Sequence, residues 1–393
     1  MKNKLLVVDI SSVKAGSQKV TKEVVDNFSI NDVSISVLVK ERADLYEELY
    51  KGFDSNKLLF SGLINRYFGT GNFSLSKLKF SDYFLLPFLL FCTNLQVLLI
   101  SKFKSINVIY CYDPKGIVVC GLFARLFKIK LIWHLHGKLN YPNRVNKFLL
   151  NLANDVIVPS NSIKNSLKSF VSDLSKVEVV YNGFIFDDKK NKKSEILHQD
   201  DSEINILYVG TIVPNKGIHA VVKNLIRTNI QRRIRLTVLG EPVGDIGVKY
   251  KGYVLSLCQD LPLNVEVDFR GWVTSPRDYY NRADLLVFSS LESCELDFSG
   301  SKDIYKASEA LPTVLIESIM TGTPVLANRA PGVDEIVYND CFGIITANIE
   351  DCDFDKLILE TASKRFSVGT DFYEKFSEEN MKSSTLSILK RNF

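Results

Sequence analysis

Several features are missing from this chain of 393 residues, and each absence narrows what it can be. It has seven cysteines (Cys92, Cys111, Cys120, Cys258, Cys294, Cys341 and Cys352) but no Cys-x-x-Cys pair, and most sit in apolar stretches. That reads as reduced core thiols in a cytosolic protein, not as a disulfide framework. No Gly-x-Gly-x-x-Gly follows either strand that opens a domain, so a nicotinamide dinucleotide is not expected. His134 and His136 have no third ligand at a zinc spacing. There is no short-period repeat and no low-complexity tract. The opening apolar run, Leu5–Val8, is too short for a signal-peptide core and predicts a first strand. Acidic residues are scarce where basic ones gather: 51–150 holds 14 Lys/Arg and 3 Asp/Glu.

The rest of the composition is that of a globular chain, 46% hydrophobic and 24% charged. Its length exceeds what one core usually organises, so two domains are expected. Short apolar runs occur at 4–10, 33–39, 106–111, 129–135, 155–158 and 177–181, then at 204–209, 234–239, 265–269, 284–289, 323–327 and 342–346. Amphipathic stretches such as Lys19–Phe28, Ile117–Phe127, Lys147–Asn154 and Ala220–Ile226 lie between them. This alternation predicts an α/β fold of two doubly wound parallel sheets with helices on both faces. The polar stretch from Asp187 to Glu203 separates the two sets. The expected division is 1–190, a linker at 191–203, a second domain at 204–370, and a C-terminal helix at 371–393 crossing back to the first. Ligands of such sheets bind at the C-terminal strand ends, here in a cleft between the domains.

The basic first half points to an anionic partner, a lipid diphosphate or a membrane face, against the plainer reading of a solvated surface. The apolar run Tyr83–Ile100 reaches the length of a membrane span but is interrupted by Pro87, Thr93, Asn94 and Gln96. It reads as a buried or interfacial helix, with Lys102 and Lys104 placed to meet headgroups.

The most informative stretch is Glu309-Ala310-Leu311-Pro312-Thr313-Val314-Leu315-Ile316-Glu317. Pro312 suits the first turn of a helix, whose free N–H groups, at Thr313 and Val314, favour an anion. A carboxylate on each side of a phosphate site suits a nucleotide sugar. One accepts from sugar hydroxyls and the other from ribose hydroxyls.

Several segments together resemble the retaining glycosyltransferases of family 4, which have the GT-B architecture. They are Leu207-Tyr208-Val209-Gly210-Thr211 leading to Lys216-Gly217, Leu236–Gly240, Val267–Val273, Tyr280–Leu285, the paired-glutamate helix and Pro331–Val337. In the first half they are Asn107–Tyr110, Leu131–Gly137, Asp155–Ser160 and Val180–Gly183. The match is strongest over 204–346 and weakest over 41–82. The resemblance implies donor binding by Gly210, Thr211, Lys216, Gly271, Trp272, Val273, Glu309, Leu311, Thr313, Val314 and Glu317. It implies that His136, Lys216 and Glu309 carry catalysis: Lys216 on the diphosphate, Glu309 on the donor sugar, His136 near the reacting carbon. Glu317 would hold the ribose. Gly16, Ser17 and Lys19 would approach the acceptor. Thr211 stands where the family often has arginine, which makes Arg277 or Arg329 a candidate substitute. Ala310 stands where it usually has glycine.

The implied activity is transfer of a sugar from a UDP- or GDP-sugar to a glycan hydroxyl, with retention of configuration. No cofactor and no essential metal are expected. Asp351-Cys352-Asp353-Phe354-Asp355 looks like an acidic metal motif but reads better as a helix cap. The expected partners are a nucleotide sugar, a glycan or lipid-linked glycan acceptor, and the inner face of a membrane touched peripherally; nucleic acid is not among them. Bacterial cell-surface polysaccharide assembly (lipopolysaccharide, O-antigen or capsule) fits. Two rivals stay open: a catalytically silent GT-B subunit supporting a partner enzyme, and an epimerase of the same fold. The stretch Leu291–Ser308, longer and more acidic than usual for the family, reads as a loop that covers the donor or reads the acceptor.

Overall fold

The computed structural model describes residues 3–10, 16–40, 49–60, 63, 80–112, 114–139, 143–171, 173–185, 202–298, 300, 302–306 and 309–393. Strands are β1 (Asn3–Asp9), β2 (Val33–Val39), β3 (Asp54–Lys57), β4 (Val108–Cys111), β5 (Lys130–His134), β6 (Asp155–Val158), β7 (Val177–Val179), β8 (Glu203–Val209), β9 (Arg233–Leu239), β10 (Val265–Gly271), β11 (Leu285–Phe288), β12 (Ser293–Asp297), β13 (Lys302–Lys306), β14 (Val325–Asn328) and β15 (Gly343–Thr346). The longer helices are α1 (Gly16–Ile30), α2 (Asp82–Lys104), α3 (Pro114–Leu126), α4 (Asn143–Leu152), α5 (Ile218–Ile226), α6 (Gly244–Leu257), α7 (Thr313–Met320), α8 (Phe354–Ala362) and α9 (Glu378–Lys390).

The chain forms two compact units. The first comprises Met1–Gly183 with Glu378–Phe393, and the second Phe184–Ser377. The division falls ahead of the charged stretch read as a linker, most of which lies outside the described residues. The C-terminal 371–393 segment is two helices rather than one. Thr370–Lys375 belongs to the second unit and α9 to the first.

In the first unit a parallel sheet runs in the order β3-β2-β1-β4-β5-β6-β7. Its central strands read as largely apolar runs because helices cover both faces, whereas the edge strand β3 is polar. Leu5, Val7, Val37, Tyr110 and Ile132 pack with Val24 and Phe28 of α1 and Met381 and Leu389 of α9. Asn27 Nδ2 donates to Lys382 O at 3.1 Å. Asn392 Nδ2 donates to Asp155 Oδ2 at 2.7 Å, beside ion pairs from Arg391 to Asp155 and Glu178. Strand order reverses between β1 and β4.

The second unit has its own parallel sheet, β10-β9-β8-β11-β14-β15, reversing between β8 and β11. The stretch read as a loop after Ser290 is instead an antiparallel hairpin, β12 paired with β13 from Ser293↔Lys306 to Asp297↔Lys302. Ser-Cys-Glu-Leu-Asp alternates polar and apolar, so Cys294 and Leu296 turn into the core while Glu295 faces out. Phe298 and Tyr305 close over Tyr250 and Tyr253.

Candidate functional site

In each unit the loops at the sheet's switch point are where a ligand of a doubly wound fold binds. In the second unit these follow β8 and β11. The turns after β8, β9 and β10 touch in series: Gly210 N donates to Leu239 O at 2.9 Å, and Gly240 N to Gly271 O at 2.8 Å. Thr211 is exposed on this edge, and Trp272 is 73% exposed.

Lys216 ends a 3-10 turn, Pro214–Lys216, and Gly217 caps it at φ 72°. A Cβ on Gly217 would lie 2.2 Å from Ser289 O, so the turn can press against the end of β11 only with glycine there. Three further bonds fix it. Ser289 Oγ donates to Lys216 O at 2.9 Å, Tyr208 OH to the same oxygen at 3.3 Å, and Leu291 N to Asn215 O at 2.8 Å. Burial, then the nearby Glu309 charge, pushes the Tyr208 phenol upward, so it stays a neutral donor. The Lys216 ammonium forms an ion pair with the Glu309 carboxylate.

Glu309 leads through Ala310 and the buried Leu311 into α7. The helix begins one residue later than expected. Pro312 is the extended N-cap (ψ 95°) rather than part of the first turn, and Leu315 N donates to Pro312 O at 3.1 Å. The N–H groups of Thr313 and Val314 precede the helical ladder, at the positive end of the peptide dipoles. Gly332, at φ 82°, supports this turn from behind; a Cβ there would come within 2.8 Å of Ala310 O.

Glu317, one helical turn beyond Thr313, accepts a hydrogen bond from Tyr280 OH at 3.0 Å. Tyr280 is buried, and its phenol is pushed upward by burial and by the Glu317 carboxylate. It was not among the expected site residues. Its signal was an aromatic hydroxyl within an apolar strand-leading motif, which needs a partner once buried. Arg329 lies 3.7 Å from Asp334 with its side chain 66% exposed, and Arg277 opens the short helix Arg277–Arg282.

In the first unit, His136 follows β5 and stacks on His134, centroids 4.0 Å apart at 29°. His134 Nδ1 and Tyr110 OH are 2.5 Å apart, and Tyr112 meets His136 edge-on at 5.8 Å. Burial lowers His136 to about 4. His134 is held well below its usual value by burial and then by His136. Both rings are therefore neutral near pH 7, and the Nε2 of each is buried without a hydrogen-bond partner among the described residues. Such an imidazole can accept from or donate to a sugar hydroxyl without carrying charge. Tyr110 and the His134 stack were also missed as supports for His136. At the end of β1, Tyr50 OH donates to the buried Asp9 Oδ2 at 2.8 Å. Gly16, Ser17 and Lys19 fall in the first turn of α1, but their side chains lie outside what the structure describes.

Among the described residues no group of three His, Cys, Asp or Glu is placed to hold a metal. Asp353 Oδ1 accepts from Lys356 N at 3.2 Å and caps α8.

Residues 16–187 match the family model described as Glycosyltransferase Family 4, and residues 188–382 that described as Glycosyl transferases group 1. An uncharacterized glycosyltransferase of Methanocaldococcus jannaschii is 26% identical over 60% of this chain and 59% of its own length. The lipopolysaccharide 1,2-N-acetylglucosaminetransferase of Salmonella typhimurium is 25% identical over 54% of this chain and 52% of its own. The chain thus spans between half and three fifths of the length of these two relatives. Among solved structures, Anabaena HepE in complex with UDP and glucose superposes with a TM-score of 0.68, at 16% identity, over 99% of this chain and 100% of that one. The apo lipopolysaccharide outer core galactosyltransferase WaaB gives 0.70 at 17% identity over 99% of both chains. At such identities the superpositions establish the fold, which is GT-B. The two family models together span residues 16–382, and the chain belongs to the group 1, family 4 glycosyltransferases.

Proposed function

We propose that this protein transfers a sugar from a nucleoside diphosphate sugar, UDP- or GDP-linked, to a hydroxyl of a glycan acceptor, with retention at the anomeric carbon. The observation that carries the reading is the Lys216–Glu309 pair set just ahead of the N-terminus of α7, with Glu317 one turn further on. A diphosphate would draw the Lys216 ammonium and lie against the N–H groups of Thr313 and Val314. Glu309 would accept from sugar hydroxyls and Glu317 from the ribose.

In the reaction the bond from the anomeric carbon to the diphosphate oxygen breaks, and the acceptor oxygen bonds to that carbon from the same face. The acceptor proton passes to the leaving phosphate oxygen, so no protein base is required. Negative charge grows on the diphosphate in the transition state. A fixed cation and the helix N-terminus stabilise it most at that point. The neutral His136 fits a hydrogen bond to the sugar near the reacting carbon, without adding a positive charge beside an oxocarbenium-like centre. The relatives that act on lipopolysaccharide favour a cell-surface polysaccharide, built on a lipid carrier, as the acceptor class. The work would then take place on the cytoplasmic side of a membrane.

The test is proton NMR of donor turnover with a panel of α-linked UDP- and GDP-sugars. Release or transfer of sugar appearing first as the α-anomer is the expected result. A β-anomer at early times would contradict retention, and interconversion of donor without release of nucleoside diphosphate would favour the epimerase.

A further inference from the structure

We propose that the first unit docks on an anionic lipid bilayer through an apolar face shared by α2 and α3. This goes beyond the transfer reaction and does not depend on the donor chemistry.

Helix α2 wears its apolar side outward. Phe84, Phe88, Phe91, Leu99 and Phe103 are exposed, the first by 70% and the last by 92%. Their spacing of three, four or eight residues puts them on one side of the helix. The other side is committed to the fold. Leu89 and Val97 are buried. Asn94 Nδ2 donates to Val118 O at 3.2 Å, and Asn94 Oδ1 accepts from Phe123 N at 3.2 Å. Gln96 ties to the segment beside β3, donating to Lys57 O and accepting from Leu59 N, both at 2.8 Å. So the polar residues that interrupt the run are spent on neighbours. A helix of 21 apolar-rich residues, long enough to cross a bilayer, is instead packed along one side. That geometry fits a helix lying in the interface plane rather than crossing it.

The apolar layer continues onto the next helix. Phe91 meets Phe123 edge-on at 5.5 Å, and Phe123 meets Phe127 at 6.0 Å. Leu122, Leu126 and Phe127 are exposed beside them. A contiguous exposed patch of this kind marks an interaction surface.

Charge decides the occupant. Lys102, Arg125, Lys128 and Lys147 are exposed on α2, α3, α4 and the turn after α3. Helices α3 and α4 contain no acidic residue, and the sole acid of α2, Asp82, is 3% exposed. A shallow cavity of ≈ 570 Å³ at the end of α3 is lined by Arg125, Lys176, Phe148 and asparagines, with no acid. In a symmetric dimer formed through this face each patch meets its own copy, so these cations would oppose one another. An anionic bilayer satisfies both parts at once: acyl chains take the phenylalanines, and phosphates take the lysines and Arg125.

The experiment is co-sedimentation of the full chain with phosphatidylcholine vesicles with and without about a quarter phosphatidylglycerol, a content set to give an anionic surface. Binding to the phosphatidylglycerol vesicles, weakening with added salt, is expected. Partitioning should fall tenfold or more in Phe88→Ser/Phe103→Ser and in Arg125→Glu/Lys128→Glu at unchanged melting temperature. Phe103→Trp, at an exposed position that folding does not need, gives a second readout: its fluorescence should be quenched by brominated lipid beyond that of wild type. Absence of wild-type binding, or a tryptophan at 103 that lipid does not quench, overturns the proposal. So does a concentration-dependent dimer abolished by Phe103→Ser, which would make a second copy the occupant. None of these readouts involves donor turnover, so failure here and failure of the transfer reading are separable.

Discussion

Lys216 and Glu309, 93 residues apart in the chain, close on one another in an ion pair at the C-terminal edge of the second sheet. Each is the group the other's ligand would displace. On the proposed reading a diphosphate would compete with Glu309 for the ammonium, and a sugar hydroxyl would compete with Lys216 for the carboxylate. Removing Glu309 therefore has opposite effects on the two halves of the donor. Glu309→Gln is expected to keep or tighten binding of the bare nucleoside diphosphate while lowering transfer about a hundredfold, the scale of losing a preorganised transition-state contact. Lys216→Ala is expected to weaken both. Calorimetric titration alongside steady-state turnover checks the pair, and equal loss of diphosphate affinity in both variants would refute the exchange.

The turn carrying Lys216 depends on Gly217. Alanine there meets Ser289 O and must hold φ 72°. Gly217→Ala is expected to cost about 1–3 kcal/mol of stability, with turnover falling further than stability explains because Lys216 is displaced. Denaturant unfolding with activity measured under folded conditions separates the two. Gly244→Ala, also at positive φ but with nothing within 4 Å of an added Cβ, serves as the control for backbone strain alone.

Tyr280 holds the carboxylate assigned to the ribose. Tyr280→Phe deletes one hydrogen bond to a charged group, worth about 1.5–3 kcal/mol at most. Donor KM should rise roughly tenfold, the equivalent of about 1.4 kcal/mol, with kcat changed little, because ribose contacts bind ground state and transition state alike. A fall in kcat at constant KM would place Glu317 elsewhere in the reaction.

The buried histidines make acid destabilising. His136 and His219 are each lowered to about 4 from 6.5, in both cases chiefly by burial. Between those values the unfolded chain binds the proton and the folded one does not. Their contribution is fully present above pH 6.5 and is lost as pH falls towards 4. Melting temperature should drop across this window, and His136→Asn should flatten the drop. A pH profile unaffected by that substitution would mean that His136 is solvated.

Much of this is legible in the sequence. The runs at 33–39 and 155–158 coincide with β2 and β6, since parallel strands covered on both faces must be apolar throughout. What escaped was of two kinds. Strand β3, Asp54-Ser55-Asn56-Lys57, is a polar edge strand with no apolar pattern, and only its pairing with β2 makes it a strand. In the hairpin β12–β13 only β12 alternates as a strand should, and its acidic outward residues, with the polar β13, hid the pair among loop-like composition. At the site, the family motifs named Lys216, Glu309 and Glu317. Ser289 and Tyr280 escaped because they act on Lys216 and Glu317 from elements distant in the chain, as Tyr110 does on His134, while Tyr208 reaches Lys216 only through the fold of the intervening turn. Supporting hydrogen bonds of that sort leave no spacing to read.

The most direct test of the central claim is a thermal-shift comparison of UDP, GDP, ADP and CMP against wild type, Glu317→Ala and Lys216→Ala. A ligand that binds only the folded protein raises its melting temperature, by about 2.7 kcal/mol of stability at a hundredfold excess over Kd. The account predicts that UDP or GDP stabilises wild type, and that Glu317→Ala and Lys216→Ala each lose most of the shift. A wild-type protein that no nucleotide stabilises, or a shift that survives in both variants, would contradict the donor site placed between Lys216 and Glu317.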